Sequence, residues 1–483
     1  MNSVAIVGAG ITGLTAAYEL KSKGIPVTVY ESSARVGGVI QSVRRDGFLA
    51  EHGPNTILET SPVITALLRD LGLDSKRIYS DPGAKKRYIL RHGLPMEVPG
   101  SVIEFLRSEL FSFRAKCRLP FEMLVRKASS DVEESVSEFV LRRLGREFLD
   151  YAINPMIGGI YAGDPDRLSV THAFPRLHEV EQRYGSLLLG QLLGARERRK
   201  RQETSKQSAP KFSFPDGLQT LTDRLHQKLQ EDVRLRSSVR NIRRRHGAWE
   251  VSLAGSSGAG KPHSAVLLAA PGGRLANIQL EPQKPNSSTL LAFLGEIRYA
   301  PVASLVLGFR REDVSHPLDG FGVLIPEMEK RSFLGVIFSS SLFPNRAPDG
   351  HVTVTCYLGG TRSPELAGCE KATALALVLK ELRSILGVKG LPVFVEHVIW
   401  PKAIPQYEVG FGRFKKAMDS VEAVHPGLHL AGHFRNGISL GDSILAGHDV
   451  AQRIRDFVTS GPAENLETAG SMTNFPPELQ ETT

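Results

Sequence analysis

Apolar residues open the chain as a short run at 3–7. After a glycine-rich turn come Ile11, Leu14, Ala17 and Tyr18, spaced as one face of a helix. A second apolar run at 26–30 ends on Glu31, so the opening segment predicts strand, helix and strand. Short strands are predicted at 87–90 and 96–98 around the turn His92-Gly93. From 101 to 200 the pattern becomes mostly helical. There Ser135 and Glu138 have the spacing of a capping box, Phe139, Val140 and Leu144 continue the apolar stripe, and Gly145 suits a C-cap. A polar stretch at 196–210 reads as a linker or mobile loop. Strands return at 233–236, 249–253 and 265–269, and alternating β-type runs at 304–309 and 351–358. Helices are expected at 371–386 and 442–458, with a disordered tail at 459–483 rich in Ser, Gly, Pro, Glu and Thr.

Composition narrows the class. A chain of 483 residues with 41% hydrophobic and 23% charged residues is long enough for two to four globular domains. Cys117, Cys356 and Cys369 are widely separated, which argues against a disulfide framework, a zinc site or a dithiol centre. No apolar run approaches the ~18 residues of a membrane span. The first strand begins at once, with no room for a leader, so a cytoplasmic location is expected. The net charge of +9 gathers in clusters at 196–201 and 240–245. These read first as solvated faces, then as attraction to anionic lipid or an acidic substrate. No nucleic-acid module accompanies them, so DNA and RNA are not expected partners.

The first turn carries specific chemistry. Gly8-Ala9-Gly10-Ile11-Thr12-Gly13 follows the first strand and opens the helix. In such a motif the first glycine permits the turn, the second lets a pyrophosphate approach the backbone, and the third lets helix and strand pack closely. Helix amides then face the phosphates. Glu31, at the end of the second strand, is placed to accept hydrogen bonds from ribose hydroxyls. Ser32, Arg35, Gly37 and Gly38 follow, and this arginine with its glycine pair distinguishes FAD from NAD.

The extended motif resembles the FAD fingerprint of amine oxidase and glutathione-reductase-like flavoproteins. The resemblance implies that Arg35 steadies the diphosphate and that Gly53-Pro54-Asn55-Thr56 passes the flavin ring. It further implies that the segment from His433 through Ile438, Ser439 and Leu440 closes over the flavin, with the following helix start stabilising its negative charge. Val239 and Trp400 complete the expected cofactor set.

Further blocks, among them 158–164, 174–177, 214–218, 320–326 and 404–407, are similar to the oxygen-dependent, FAD-containing protoporphyrinogen oxidase family. The implied fold class is α/β: a discontinuous Rossmann-like FAD-binding domain (1–82, 201–275, 398–458), a mixed α/β substrate domain (276–397) and a helical, membrane-touching insertion (83–200). The implied substrate residues are Arg87, holding a propionate, and Gly159, Leu324, Ile337 and Tyr357, lining the macrocycle pocket. Tyr357 departs from the apolar residue expected there. The implied reaction removes six electrons from a porphyrinogen in three rounds, with dioxygen as acceptor and hydrogen peroxide as by-product. Because the cofactor carries the difficult step, no general base is nominated. No cysteine follows Cys369, so FAD is expected to be non-covalent. Coproporphyrinogen III remains an alternative substrate, and an amine oxidase, a carotenoid-type desaturase and a flavin-binding scaffold are more distant readings. An anionic membrane surface and a homodimer are the remaining candidate partners.

Overall fold

The tetrapeptides Val4–Val7 and Val27–Tyr30 are buried at every position and become adjacent parallel strands, as strands covered on both faces do. The structure, a computed structural model, describes residues 3–129, 132–191, 193, 209–255, 260–281 and 291–460. The basic cluster expected at 196–201 and nearly all of the expected tail lie outside the described residues.

Elements used below are labelled in chain order. The front half holds β1 (Val4–Val7), α1 (Ile11–Ser22), β2 (Val27–Tyr30), β3 (Lys86–Arg91), β4 (Leu94–Glu97) and α2 (Asn154–Tyr161). The middle holds β5 (Val233–Arg234), β6 (Val239–Arg245), β7 (Ala265–Leu268), β8 (Tyr299–Arg310), β9 (Gly320–Leu324) and β10 (Gly335–Ile337). Last come β11 (His351–Gly359), α3 (Lys371–Leu386), β12 (Phe394–Pro405), β13 (Leu428–Leu430) and α4 (Leu440–Ser460).

Two sheets position the site. The first is parallel throughout, in the order β5-β2-β1-β7-β13, and draws its strands from three separated stretches of chain. Such an order with helices on the faces is the doubly wound arrangement, and the crevice lies beyond the carboxyl ends of β1 and β2. The second sheet runs β12-β8-β11-β10-β9-β3-β4. One of its faces, carrying Leu305, Leu307, Cys356 and Leu358, packs on Ala374, Val378 and Leu382 of α3. The opposite face turns toward the FAD-type domain.

The helical part is pinned by a buried ionic knot. Arg143 donates to Glu122 and Glu181 at 2.5 Å each, and all three side chains are fully buried. The capping box at Ser135 and Glu138 forms as expected, while the C-cap is Leu144 rather than Gly145, which follows it with φ +93° and turns the chain into the next helix. Among the described residues no helix is long and apolar enough to cross a membrane.

Three expected boundaries move. β3 and β4 join the seven-stranded sheet, so residues 86–97 are not part of the helical insertion. The boundary at 397/398 falls inside β12, whose ladder to β8 holds it in the substrate sheet as far as Pro405. Residues 279–281 pair with β6, which extends the middle FAD-type segment past 275. In each case the ladder to a distant strand overrides the local change in pattern.

Candidate active site

The glycine turn after β1 is tight at its first and third glycines and open at the second. Gly8 has φ +107°, and a Cβ on Gly13 would lie 2.0 Å from the Gly8 carbonyl oxygen. Ile11 and Thr12 are buried in the first turn of α1. A Cβ on Gly10 would meet nothing within 4 Å. The Ala9 amide donates to Glu31 Oε2 at 2.8 Å, and the Ser33 amide donates to Oε1 at 2.8 Å. The Ser32 hydroxyl also donates to Oε1, at 3.3 Å. Oε2, with a single donor, retains accepting capacity for a ribose hydroxyl. The Ser237 amide donates to the Glu31 carbonyl at 2.7 Å, which brings the start of β6, with half-buried Val239, beside this end of the crevice.

The arginine-glycine loop folds over the same turn. The Gly37 amide donates to the Ala9 carbonyl at 2.8 Å. The Arg35 guanidinium donates to the carbonyls of Val36 at 2.9 Å, Ile40 at 3.1 Å and Gly38 at 2.5 Å. Arg35 therefore braces the loop a cofactor would cross, whereas the resemblance placed it on the diphosphate itself. The two loops also touch: a Cβ on Gly53 would lie 2.2 Å from the Val39 carbonyl oxygen, so only glycine fits there. Pro54, Asn55 and Thr56 follow, half-buried.

At the far end Ser439 caps α4. Its hydroxyl accepts the Asp442 amide at 3.1 Å, and its own amide donates to the Asp442 carboxylate at 3.2 Å. The carboxylate offsets part of the positive end of the helix dipole, which weakens the charge role expected of this helix start. Ile438 and Leu440 are half-buried beside it. The His433 carbonyl accepts the Tyr407 hydroxyl, and that hydroxyl accepts the Gly437 amide at 3.0 Å. Burial lowers the His433 imidazole to about 4, so it is neutral, and its buried Nε2 has no partner among the described residues. An open space before Gly10 and a buried ring nitrogen of His433 without a partner among the described residues both fit a bound dinucleotide.

Strand register assembles the expected substrate residues. Leu324 pairs with Ile89 and Gly335, and Gly335 pairs with Tyr357, so Ile89, Leu324 and Tyr357 share one sheet face. Two residues along, Arg87, Ile337 and Thr355 lie on that same face, because side chains alternate along a strand. Gly159, at the end of α2, adjoins them: a Cβ there would lie 2.6 Å from Leu324 Cδ2. Leu324, Ile337 and Tyr357 are half-buried while their strand neighbours are buried, and Arg87 is exposed. Among the described residues Arg87 has no ion-pair partner.

The FAD-type loop is tied to this face at two points. Trp400 Nε1 donates to the His52 carbonyl at 2.8 Å, and Asn55 Nδ2 donates to the Tyr357 hydroxyl. Trp400 thus stands beside the expected flavin loop. Sequence reasoning missed the role of Tyr407, quoted only within the block at 404–407, and the Asn55–Tyr357 link. The departure of Tyr357 from an apolar residue was the available signal.

The sequence pattern of the flavin containing amine oxidoreductase family matches residues 11–455. The chain is 38% identical to protoporphyrinogen oxidase 2, chloroplastic/mitochondrial, of Arabidopsis thaliana over 95% of this chain and 94% of that protein. It is 28% identical to coproporphyrinogen III oxidase of Bacillus subtilis, covering 92% and 96%. Among solved structures, one from Exiguobacterium sp. 255-15, provisionally assigned as a protoporphyrinogen oxidase, superposes with a TM-score of 0.77 at 24% identity, covering 95% and 99%. The open turn at Gly10, the carboxylate at Glu31 and these relationships agree: the chain belongs to the flavin-containing amine oxidoreductase family, in the group that holds the protoporphyrinogen oxidases, and FAD is its cofactor.

Proposed function

We propose that the protein catalyses the oxygen-consuming, six-electron oxidation of protoporphyrinogen IX to protoporphyrin IX, with hydrogen peroxide as by-product. The observation that carries this reading is the sheet face on which Arg87 stands beside half-buried Leu324, Ile337 and Tyr357, with Gly159 against Leu324. An apolar lining with an exposed guanidinium at one side suits a flat macrocycle bearing carboxylate arms. A guanidinium pairs with a carboxylate through two parallel hydrogen bonds. When bound, FAD supplies the two-electron acceptor that dioxygen regenerates.

The chain's own residues hold and orient. Gly10 and the Gly37-Gly38 loop leave room for the diphosphate, and Glu31 Oε2 offers an acceptor to the ribose. Trp400 and Asn55 fix the Gly53–Thr56 loop against the substrate sheet. His433 stays neutral at working pH because burial lowers its imidazole to about 4, so it places no charge beside the ring. FAD is held without a covalent bond, and acid precipitation should release it into the supernatant. The deciding experiment is anaerobic: protoporphyrinogen IX and coproporphyrinogen III are mixed separately with the holoenzyme, and bleaching of the flavin is followed. Faster bleaching by protoporphyrinogen IX is expected. Faster bleaching by coproporphyrinogen III reassigns the substrate, and an oxidised flavin in both leaves a binding scaffold.

A peripheral membrane contact is part of the same proposal. Val102, Leu106, Phe113, Phe121 and Leu124 are exposed on short helical segments of the insertion, beside exposed Arg107, Arg114 and Arg118. Other apolar residues of this stretch pack inward: Leu110 and Phe111 are buried, and Phe105 stacks with Phe148. The remaining surface has the apolar and basic character of an interfacial segment.

A further inference from the structure

Tyr357 is the one polar side chain among the expected pocket residues other than Arg87, and its surroundings leave its hydroxyl partly uncommitted. Across the ladder its neighbours on the same face are Gly335, which has no side chain, and Ser304, which is small and buried. The ring is packed by Ala300, Val302, Leu334 and Ala162, so its direction is set. From the opposite side Asn55 Nδ2 donates to the phenol oxygen. A phenol offers one proton and two lone pairs, so one accepting position and the proton remain. Among the described residues no second partner takes either.

We infer that Tyr357 is a substrate-binding residue whose hydroxyl, oriented by Asn55, accepts a hydrogen bond from a pyrrolic N–H of the substrate. This rests on the porphyrinogen reading above. A porphyrinogen presents N–H donors at its centre and carboxylates at its rim, and Arg87 is the group suited to the rim. Arg87 stands three strands from Tyr357 and two residues along on the same face, roughly 16 Å between backbones at the usual strand spacing and rise. The long arginine side chain shortens that gap, so both can engage one macrocycle. Burial raises the phenol's pKa, which keeps it neutral and able to accept without carrying charge into the slot. Asn55 is then a positioning residue: it acts on substrate through Tyr357.

The test is a double-mutant cycle on the FAD-loaded enzyme with protoporphyrinogen IX. Tyr357→Phe keeps the ring and should raise KM roughly three- to tenfold, the effect of one lost hydrogen bond, with kcat, FAD stoichiometry and melting temperature little changed. Asn55→Ala should raise KM in the wild-type background and add nothing to Tyr357→Phe, since it acts through the hydroxyl. A turning-over wild type whose KM is unmoved by Tyr357→Phe overturns the inference, as do effects of the two substitutions that multiply independently. A wild type that oxidises neither porphyrinogen removes the functional reading, and this inference with it.

Discussion

The Thr12 hydroxyl donates to the Ser443 carbonyl at 3.0 Å, joining residues 431 positions apart in the chain. On the next turn of α4 the two helices come closer still, for a Cβ on Gly447 would lie 2.6 Å from the Thr12 carbonyl oxygen. The last helix is thereby seated on the helix that opens the glycine motif. The C-terminal segment at 433–440 reaches the crevice because this contact holds the helix that follows it.

The three glycines of the motif should separate in their effects. A side chain at Gly10 meets open space, and its backbone is extended, with φ −72° and ψ 175°. Gly10→Val should therefore fold normally and lose FAD, read as a lower flavin-to-protein absorbance ratio with an unchanged melting temperature of the apoprotein. Gly13→Ala would drive a methyl into the Gly8 carbonyl and should lower that melting temperature as well. Full flavin occupancy in Gly10→Val would place the phosphates elsewhere.

Arg87 is exposed and has no ion-pair partner among the described residues, so its removal should leave stability and flavin content intact. If it pairs with a substrate carboxylate, Arg87→Ala should raise KM by about 10- to 150-fold, following the ~1.5–3 kcal/mol typical of charged hydrogen bonds. Unchanged steady-state kinetics on both porphyrinogens would take this residue out of the site.

Glu51 makes stability fall with pH. Burial raises its carboxyl to about 7 from an ordinary 4.5, against the opposing pull of the Ser42 hydroxyl, the Leu218 amide and the Arg346 guanidinium. The folded state thus binds this proton more tightly than the unfolded chain. Its stabilisation is full below 4.5 and is lost as pH rises through about 7. Glu51→Gln removes the titration, so thermal melts of wild type and variant at pH 5.5 and pH 8.5 should show the wild type losing more, on the order of 1–3 kcal/mol. Parallel pH profiles for the two proteins would contradict the assignment.

The insertion should bind anionic vesicles reversibly, and salt should weaken the binding, since exposed charges are screened within ~8 Å at physiological ionic strength. Flotation with phosphatidylglycerol vesicles measures this directly. Replacing Phe113 and Leu124 by serine should reduce flotation, because both lie exposed on the apolar side. Protein that stays in the dense fraction at low salt, with lipid in excess, would leave this surface unassigned.

Sequence alone determined the local chemistry of this protein. The run β1–turn–α1–β2–Glu31 was legible because each part is dictated by neighbours a few residues away: apolar continuity, glycine at the crowded positions and a carboxylate at a strand end. Helix 371–386 was equally clear, from its uninterrupted periodicity. Tertiary structure decided everything that depends on pairing between distant strands. Residues 86–97 read locally as short strands, and only the ladder to β9 makes them part of the substrate sheet and puts Arg87 on the face of Tyr357. The same holds for Asn55, which meets Tyr357 across the cleft. A hydrogen bond between residues 302 positions apart leaves no periodic trace in the chain, because its geometry is set by how two sheets face each other.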